Sequence, residues 1–282
     1  MSEKLALITG TSSGIGLLTA LELASRGYRV IATMRNLGKR ERLDSAAQAA
    51  GLTDRIFVRQ LDVTDIDEAT QVIQRVHQEF GPLDVLVNNA GFPMAGFAED
   101  VSLAELREQF ETNFFGHVAI TKAALIGMRT RRSGHIIMVS SVSGRAAQPS
   151  LSCYSSSKFA LEGWTESLRM ELHSQGIRVV LVEPGAYDTD IWERNARLAK
   201  GATDHSSHNA QRARRFRDYV QSGSIKKRDP REVAQLIARI AADPNPKLRY
   251  VIGHDAHIQL WLKALVPWRI YEKLITKAVK ID

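Results

Sequence analysis

Cysteine is almost absent from this chain, in which Cys153 is the only thiol. A single cysteine excludes an intrachain disulfide and a zinc site built from several cysteines, and it is typical of a reducing compartment. No stretch approaches the roughly 18 uninterrupted apolar residues of a membrane-spanning helix, and no repeat of fixed length occurs. The first four residues, MSEK, lead directly into a strand-like segment, so no signal peptide is predicted. These absences predict a soluble, cytoplasmic, globular protein.

Acidic residues are scarce in the last third of the chain. The formal net charge is +7; residues 193–282 carry 19 Lys and Arg against 9 Asp and Glu, whereas residues 1–192 carry 19 against 22. A nucleic-acid-binding protein usually concentrates such charge on a recognisable module with stacking aromatic residues. We therefore predict no nucleic-acid partner and interpret the excess as a solvated face. An anionic substrate and a membrane surface are the alternatives.

Short apolar runs alternate with longer amphipathic segments along the chain. Seven runs are strand candidates, namely Leu5–Ile8, Arg29–Ala32, Ile56–Gln60, Val85–Val87, His135–Val139, Arg178–Val182 and Tyr250–Ile252. Several are rich in Val, Ile and Leu without polar alternation, as in strands of a parallel sheet that is covered on both faces. The pattern predicts an α/β fold: a doubly wound parallel sheet of the Rossmann type, with about seven strands and helices on both faces.

Two segments depart from this alternation. Residues 186–229 are polar and rich in Arg and Ser where a short crossover is expected, which indicates an insertion that acts on the substrate or is disordered. Residues 256–282 form an amphipathic C-terminal extension, interrupted by Pro267. No linker divides the chain, so residues 1–282 are predicted to be a single domain with these two additions.

The first predicted strand is followed immediately by a glycine-rich turn, Thr9-Gly-Thr-Ser-Ser-Gly-Ile-Gly16. Gly10, Gly14 and Gly16 allow a tight turn, a close approach of bare backbone to a pyrophosphate, and close packing of the next helix on the sheet. The N-terminus of that helix offers unpaired N–H donors and a positive dipole to the phosphates. A glycine cluster between a first strand and a helix predicts a dinucleotide site.

The residue after the second strand distinguishes the two nicotinamide dinucleotides. A site for NAD commonly places Asp or Glu there, to accept a hydrogen bond from the ribose 2′-hydroxyl. This chain has Arg35 at that point and no acidic residue before Glu41. The guanidinium group can instead bind the 2′-phosphate of NADP. Arg35 favours NADP(H), and the other interpretation is a surface arginine in a basic loop.

Tyr154 and Lys158 lie four residues apart at the start of a helix-like segment and therefore on one face. A free phenol, with a pKa near 10, is a poor acid–base catalyst at neutral pH. A neighbouring ammonium group favours the phenolate and lowers that pKa. Ser141 follows a buried-looking strand that ends at Val139, at the sheet edge where doubly wound folds bind ligands.

With these motifs in place, the chain resembles the short-chain dehydrogenase/reductase family, motif by motif over residues 3 to about 190 and more loosely over Asp229–Asp255. Seven motifs occur in the family's order and at its spacing. They are Thr9–Gly16, Asp62-Val63, Asn88-Asn89-Ala90-Gly91, Asn113 of Asn113-Phe-Phe-Gly116, Ser140-Ser141, Tyr154-x-x-x-Lys158 and Pro184-Gly185.

The resemblance implies a catalytic set of four residues. Tyr154 would be the general acid in reduction and the base in oxidation, and Lys158 would lower its pKa and hold the ribose hydroxyls. Ser141 would hydrogen-bond the reacting oxygen and stabilise its developing charge. Asn113 would hold a water molecule that links Lys158 to solvent.

The resemblance also implies a binding site for NADP(H). Its cofactor-binding residues would be Gly10, Ser12, Ser13, Gly14, Ile15, Gly16, Arg35, Asp62, Val63, Asn89, Ala90, Gly91, Tyr154, Lys158, Pro184, Gly185 and Thr189. Asp62 and Val63 would meet the adenine, and Thr189 would contact the nicotinamide amide. Tyr187 departs from the family, which usually has a small aliphatic residue there.

The glycine turn and Arg35 together look like those of NADP-using reductases of the 17β-hydroxysteroid and retinol dehydrogenase type, in which Ser12 or Ser13 shares the 2′-phosphate with the arginine. We therefore expect an oxidoreductase that interconverts a hydrophobic carbonyl compound (steroid-, retinoid- or acyl-like) and its alcohol. The alternative from another class is a non-catalytic regulator that binds NADP(H) and senses its redox state. Family likeness implies a homodimer or homotetramer.

The remaining motifs carry weaker predictions. Cys153 is interpreted as a small buried side chain. His205 and His208, like His254 and His257, are spaced three apart, but no carboxylate–histidine set accompanies either pair, so no metal is predicted.

Basic residues recur every fourth position after Pro267, namely Arg269, Lys273 and Lys277. We favour the interpretation that this helix packs on the protein, either over an apolar pocket or between subunits. The alternative is a weak contact with a membrane surface.

Overall fold

The structure, a computed structural model, describes residues 3–189, 195–204, 206–221, 227–279 and 281. In chain order the strands of this part are β1 (Leu5–Thr9), β2 (Arg29–Met34), β3 (Ile56–Gln60), β4 (Val85–Asn88), β5 (Met94–Ala95), β6 (Gly134–Val139), β7 (Ile177–Pro184), β8 (Arg197–Leu198) and β9 (Arg249–Ile252). The helices are α1 (Gly14–Ser25), α2 (Glu41–Ala49), α3 (Ile66–Phe80), α4 (Leu103–Phe110), α5 (Gly116–Arg131), α6 (Ser152–Leu172), α7 (Ala210–Gln221), α8 (Arg231–Ala242), α9 (His254–Leu265) and α10 (Trp268–Ala278).

Seven strands form one sheet in the order β3-β2-β1-β4-β6-β7-β9, and every pairing between them is parallel. All seven strand predictions are confirmed, as is the doubly wound α/β architecture. The chain runs outward from β1 to β3 and then returns to β4 on the other side of β1. At such a switch point the loops after neighbouring strands diverge and open a crevice at the carboxyl edge of the sheet.

The unbroken apolar sequence of β1 reflects the two layers of helices that cover the sheet. Leu5 and Leu7 belong to the core under α3, α5 and α6, whereas Ala6 and Ile8 belong to the core under α1, α2 and α8. Because successive side chains of a strand point to opposite faces, both sets must be apolar. Each fully buried Leu or Ile contributes about 1.5–3 kcal/mol of hydrophobic stabilisation.

Local signals in the sequence begin and end several helices. Asp65 accepts a hydrogen bond from the backbone N–H of Glu68 and so caps α3, which ends at Gly81 in a positive-φ conformation. Ser102 and Glu105 form a reciprocal capping box at the start of α4. These contacts satisfy N–H groups that a helix leaves unpaired at its N-terminus.

The predicted insertion over 186–229 is described only in part, because residues 190–194, 205 and 222–226 lie outside the described residues. Its described part contains β8, which pairs in parallel with β5 in a separate two-stranded sheet, and the helix α7. Side chains of α7 pack with Phe97 and with Val279 and Ile281 near the end of the chain.

The C-terminal extension consists of two helices, α9 and α10, which meet at Pro267. Proline lacks the N–H group that a continuing helix needs, so the break falls where the sequence predicts an interruption. Within the described residues, none of the helices combines the length and the apolar character that crossing a membrane requires.

Candidate active site

The glycine turn between β1 and α1 brings backbone segments into direct contact. Gly10 and Gly14 have φ values of +72° and +58°, which favour glycine. A Cβ atom at Gly16 would lie 2.3 Å from the carbonyl oxygen of Gly10, so even alanine does not fit there without a backbone shift. The turn is therefore a shallow cradle of bare backbone, as predicted.

The N-terminus of α1 faces this cradle without a side-chain cap. Ser13 is the N-cap residue, and no side chain accepts a hydrogen bond from the first turn of the helix. Ser12, Ser13 and Ile15 are half-buried beside it. Uncapped N–H groups and the positive end of the helix dipole favour an anion. Both observations fit the pyrophosphate of a dinucleotide.

The end of β4 is joined to the end of β1 by side-chain hydrogen bonds. Asn89 donates from Nδ2 to the carbonyl oxygens of Thr9 (2.9 Å) and Gly10 (3.1 Å). The hydroxyl oxygen of Thr9 accepts from the backbone N–H groups of Asn89 and Ala90, at 2.9 Å each. The amide of Asn89 therefore shapes the glycine turn, and the half-buried backbone of Ala90 and Gly91 lines the crevice beside it.

The two residues predicted to select the adenosine end lie at the ends of β2 and β3. Arg35 follows β2 directly and is exposed; among the described residues it has no ion-pair partner, whereas nearby Arg40 pairs with Asp44 at 2.6 Å. The Oδ1 atom of Asp62 accepts hydrogen bonds from the N–H and hydroxyl of Thr64. Arg35 thus presents an exposed guanidinium group at the carboxyl end of β2.

Val63, the other predicted adenine contact, is buried. Its carbonyl oxygen would lie 2.6 Å from a Cβ atom at Gly116, the first residue of α5. Glycine at position 116 thus lets α5 approach this strand end closely.

Asn113 lies in a π-helical turn, Glu111–Phe115, that joins α4 to α5. Its side chain is fully buried: Oδ1 accepts from the backbone N–H of Phe92, and Nδ2 donates to the carbonyl oxygen of Phe92, both at 3.1 Å. Nδ2 also lies 3.3 Å from the hydroxyl oxygen of Ser157 on α6. Asn113 therefore ties the loop after β4 to the helix that carries Tyr154 and Lys158. Wide helical turns of this kind occur frequently at functional sites.

Tyr154, Lys158 and Ser141 come together at the end of β6. Tyr154 and Lys158 occupy the first two turns of α6 and are each 4% exposed. The hydroxyl groups of Tyr154 and Ser141 are hydrogen-bonded. The ammonium group of Lys158 lies 5.9 Å from the centre of the Tyr154 ring and donates to the carbonyl oxygen of Val139. The predicted acid–base set is thus assembled beside the glycine cradle.

The pKa of Tyr154 departs from the direction that the sequence predicts. Burial raises it to about 12, and the hydrogen bond with Ser141 lowers it only in part. Burial also lowers the pKa of Lys158 to about 8. Desolvation raises the pKa of a phenol and lowers that of an ammonium group because it disfavours the charged form of each. In this structure Tyr154 is a neutral phenol at neutral pH and is able to donate its proton.

The turn after β7 lies against the end of β9 and the start of α1. The backbone N–H of Gly185 donates to the carbonyl oxygen of Ile252, and the side chain of Thr189 lies about 3.5 Å from where a Cβ atom of Gly14 would be. Pro184, the last residue of β7, is buried. Thr189 therefore sits over the N-terminus of α1, next to the predicted pyrophosphate position.

Tyr187 does not fill the crevice. It is buried, and its hydroxyl group donates to Oε2 of Glu232 on α8 at 3.3 Å. The unusual aromatic residue at this position therefore packs against the α8 layer.

An apolar cluster lies next to the catalytic set. Its members are Phe92, Met94, Cys153, Ala199 and Ala202. They join the loop after β4 and the start of α6 to the described part of the insertion. Burial raises the pKa of Cys153 to about 11, so this residue is a buried thiol and not a nucleophile.

No group of three or more His, Cys, Asp and Glu side chains is placed to hold a metal ion in the part of the chain that the structure describes. His205 lies outside that part.

The sequence did not indicate a role for His117, which is fully buried one turn after Asn113. Its Nε2 atom donates to the carbonyl oxygen of Ala90 at 2.6 Å. Burial, with a smaller contribution from Lys158, lowers the pKa of His117 to about 3 and keeps the ring neutral. His117 could not be identified from the sequence, because a single histidine within a helix looks the same as any other buried core residue.

Comparisons with known proteins agree with this geometry. The sequence model of the family described as short chain dehydrogenase matches residues 4–199. The uncharacterized oxidoreductase YusZ of Bacillus subtilis is 42% identical over 280 residues, which cover 98% of this chain and 99% of that protein. Human retinol dehydrogenase 8 is 39% identical over 257 residues, covering 88% of this chain and 81% of that protein.

Solved structures share the whole fold. A short-chain dehydrogenase from Streptomyces avermitilis superposes with a TM-score of 0.83 at 32% identity and covers 100% of this chain and 97% of its own. A variant of the actinorhodin polyketide ketoreductase, solved with NADPH, has a TM-score of 0.74 at 29% identity, covering 89% of this chain and 95% of its own.

Proposed function

This chain belongs to the short-chain dehydrogenase family and is an oxidoreductase, and we propose that it interconverts a hydrophobic carbonyl compound and its alcohol at Tyr154. The observation that carries the proposal is the buried Tyr154, whose hydroxyl group is hydrogen-bonded to the half-buried Ser141 at the carboxyl end of β6. A neutral phenol at the edge of a dinucleotide site is placed to exchange a proton with a substrate oxygen.

NADP(H) is the cofactor, in agreement with the prediction from Arg35 and with solved members of the family that carry NADP or NADPH. The uncapped N-terminus of α1 and the cradle of Gly10 and Gly16 would hold the pyrophosphate. The exposed guanidinium group of Arg35 would pair with the 2′-phosphate. When bound in its reduced form, NADPH supplies the hydride for the carbonyl carbon.

The chain's own residues would handle the proton and the developing charge. In reduction, Tyr154 donates its proton to the substrate oxygen, and the hydroxyl group of Ser141 hydrogen-bonds the same oxygen as it becomes negative. Lys158 places a positive charge behind the ring and favours the phenolate that remains. Asn113 fixes the backbone of Phe92 and the position of Ser157, which holds α6 in register with the crevice.

The proposed substrate class rests on the apolar cluster beside Tyr154 and on the kinship with a retinol dehydrogenase. Residues of the described insertion contribute to that cluster, so a bulky apolar substrate would meet this segment on entry. The comparisons give no support to the alternative, a non-catalytic regulator that senses NADP(H). A cytoplasmic location and the single-domain organisation stay predictions.

The first experiment is a calorimetric titration with NADPH and with NADH, followed by the loss of absorbance at 340 nm with a panel of hydrophobic ketones and aldehydes. We expect tighter binding of NADPH than of NADH, and turnover of at least one panel member. Binding of NADPH with no turnover of any ketone, aldehyde or, in reverse, alcohol would overturn the proposed catalysis. Failure to bind either nucleotide would overturn the cofactor as well.

We also propose a homo-oligomer formed through α5 and α6. Large apolar side chains are exposed on these two helices and on the π-helical turn before α5, namely Ile126 on α5, Phe159 and Met170 on α6, and Phe115 in the turn. A patch of this kind commonly marks a protein–protein interface. Light scattering should give a dimer or tetramer, and Ile126→Glu should shift the mass towards the monomer. A monomeric wild-type protein would contradict this proposal.

We also propose that α9 and α10 make a weak contact with a membrane surface. Trp261 and Trp268 are each 63% exposed, and Lys273 and Lys277 are exposed beside them. Indole rings and basic side chains together favour an anionic lipid surface. Sedimentation with phosphatidylserine vesicles should retain the protein at low salt and release it at high salt. The proposed contact would be contradicted if neutral vesicles sedimented as much protein as phosphatidylserine vesicles, or if neither kind sedimented any.

A further inference from the structure

Two buried carboxyl groups lie behind the catalytic residues and share one guanidinium group. Glu162 of α6 is 4% exposed and Glu183 of β7 is fully buried. The Nε atom of Arg249 on β9 lies 3.2 Å from Oε2 of Glu162 and 3.2 Å from Oε1 of Glu183. Neither carboxyl group takes part in the proposed hydride or proton transfer.

The charged groups around the pair do not fully compensate two negative charges. Arg145 reaches Oε2 of Glu183 at 3.1 Å, but its own side chain is partly exposed. The positive charge of Arg249 is shared with a third carboxyl group, because Arg249 also pairs with Glu166 on α6 at 3.0 Å. Glu162 itself has only Arg249 as a salt-bridge partner within the described residues.

Burial and the neighbouring charge of Glu183 both raise the pKa of Glu162, whereas Ser140 and Arg249 lower it. Two close carboxyl groups that cannot both ionise take up one proton between them. Glu162 is therefore expected to bind a proton near neutral pH, because its pKa is raised to about 7.

Glu162 is also linked to the catalytic set. It follows Lys158 by one helical turn on α6, and its charge raises the pKa of Lys158 against the effect of burial. A Cβ atom at Gly144 would lie 3.0 Å from Cγ of Glu162 and 3.0 Å from the hydroxyl oxygen of Ser140, so the carboxyl group has little room to move. Ser140 precedes the Ser141 that binds Tyr154. On this side Glu162 therefore faces two residues, Ser140 and Lys158, that adjoin or belong to the catalytic set.

We propose that Glu162, which shares the guanidinium group of Arg249 with Glu183, is a positioning residue whose charge controls the protonation of Lys158 and thereby the proton transfer at Tyr154. The proposal rests on the proposed function, since it concerns the same reaction. Glu162 is not among the residues proposed to contact the substrate or the cofactor, and it acts through Lys158.

Two substitutions shift the reaction in opposite directions. Glu162→Gln removes the charge that favours the ammonium form of Lys158, so less positive charge supports the phenolate. The acid limb of the kcat/KM profile for alcohol oxidation should move up by about one pH unit. Glu183→Gln removes the like charge that disfavours ionised Glu162. The same limb should then move down.

Glu166→Gln is the matched control, because Glu166 pairs with the same Arg249 but lies one turn farther from Lys158 and is exposed. This variant should leave the pH profile unchanged, and thermal midpoints check that all three variants are folded. Equal shifts for Glu162→Gln and Glu166→Gln, or shifts of the same sign for Glu162→Gln and Glu183→Gln, would overturn the proposal.

An infrared titration tests whether Glu162 binds a proton near neutral pH, without turnover and without NADP(H). The wild-type protein and Glu166→Gln should show the C=O stretch of a protonated carboxyl group near neutral pH, and this band should be absent from Glu162→Gln and from Glu183→Gln. If the enzyme turns over but the band is missing from the wild type, protonation of Glu162 and with it this proposal are refuted, and the proposed function stands. If the band is present but no substrate is converted, the proposed function fails on its own.

Discussion

The ammonium group of Lys158 donates a hydrogen bond across 2.9 Å to the main-chain carbonyl of Val139. Val139 is the last residue of β6, and Lys158 lies in the second turn of α6, so the bond fixes the start of the helix against the strand that leads to Ser141. An ammonium group has three N–H donors, and this bond uses one of them. Lys158 therefore holds the separation of Tyr154 and Ser141 in addition to carrying charge.

Replacing Tyr154 with Phe should abolish the proton transfer and preserve the fold. We expect kcat to fall by about 10²- to 10⁴-fold, because phenylalanine offers no proton to the substrate oxygen. The dissociation constant of NADPH, measured by calorimetry, should stay within error of the wild type. Tyr28→Phe is the control: its hydroxyl donates to the carbonyl oxygen of Ala241, far from the crevice, so turnover should be unchanged. Full activity of Tyr154→Phe would refute the assigned role.

Arg35→Ala should weaken the binding of NADPH selectively. Charge-assisted hydrogen bonds to a phosphate contribute about 1.5–3 kcal/mol, which corresponds to roughly 10- to 100-fold in the dissociation constant. NADH lacks the 2′-phosphate, and its affinity should change little. Arg40→Ala serves as the control because Arg40 is already paired with Asp44. Equal losses for the two nucleotides would remove Arg35 from the 2′-phosphate site.

Gly16→Ala should disrupt the cradle. Its Cβ atom would lie 2.3 Å from the carbonyl oxygen of Gly10 and 2.5 Å from Nδ2 of Asn89, so the turn must shift. We expect the free energy of unfolding to fall by about 1–3 kcal/mol and the affinity for NADPH to fall at least about tenfold. Denaturant titration and calorimetry measure the two quantities.

The contrasting variant is Gly163→Ala. Gly163 is exposed within α6, and a Cβ atom there would meet no atom within 4 Å. This substitution should raise the free energy of unfolding by about 0.5–1 kcal/mol. A similar loss for both glycines would show that the close contact at Gly16 is not the cause.

His117 should make the protein sensitive to acid. Its ring stays neutral in the folded state down to a pKa of about 3, whereas the unfolded chain takes up a proton below about pH 6.5. The unfolded state thus binds more protons in this window, and stability falls as the pH falls from 6.5 to 3, by up to about 5 kcal/mol.

The test replaces His117 with Gln, which can still donate to Ala90 but does not titrate. The fall in the free energy of unfolding between pH 6.5 and pH 4 should become smaller than in the wild type. The same replacement at the exposed His173 should leave that dependence unaltered. An identical pH dependence for His117→Gln and the wild type would refute the assignment.

The sheet was predictable because its strands depend on local composition. A few consecutive residues are enough to identify the apolar strands β1 and β6 and the glycine turn at Gly10. The order of the motifs along the chain then identifies the family. Arg35 could be identified for the same reason, because the preference for NADP(H) is inferred only from its position after β2.

The electrostatics of the site could not be predicted in this way. The charge of Lys158 beside Tyr154 can be read from the sequence, but burial, which determines the direction of the pKa shift of Tyr154, cannot. Glu162 and Glu183 are 21 residues apart in sequence and meet Arg249 only because β7 and β9 are adjacent. Such pairs follow from tertiary structure, and no local pattern marks them.

Because of the π-helical turn at Glu111–Phe115, the position of Asn113 depends on the number of residues between α4 and α5 as much as on their identity. A π turn holds one residue more than an α-helix of the same rise, and each residue of an α-helix advances by about 100°. Deleting Thr112 would regularise the helix and rotate Asn113 out of reach of Phe92, although every functional side chain would still be present. In this stretch a deletion is therefore a more severe lesion than most substitutions, and alignments of related chains should be free of gaps between α4 and α5.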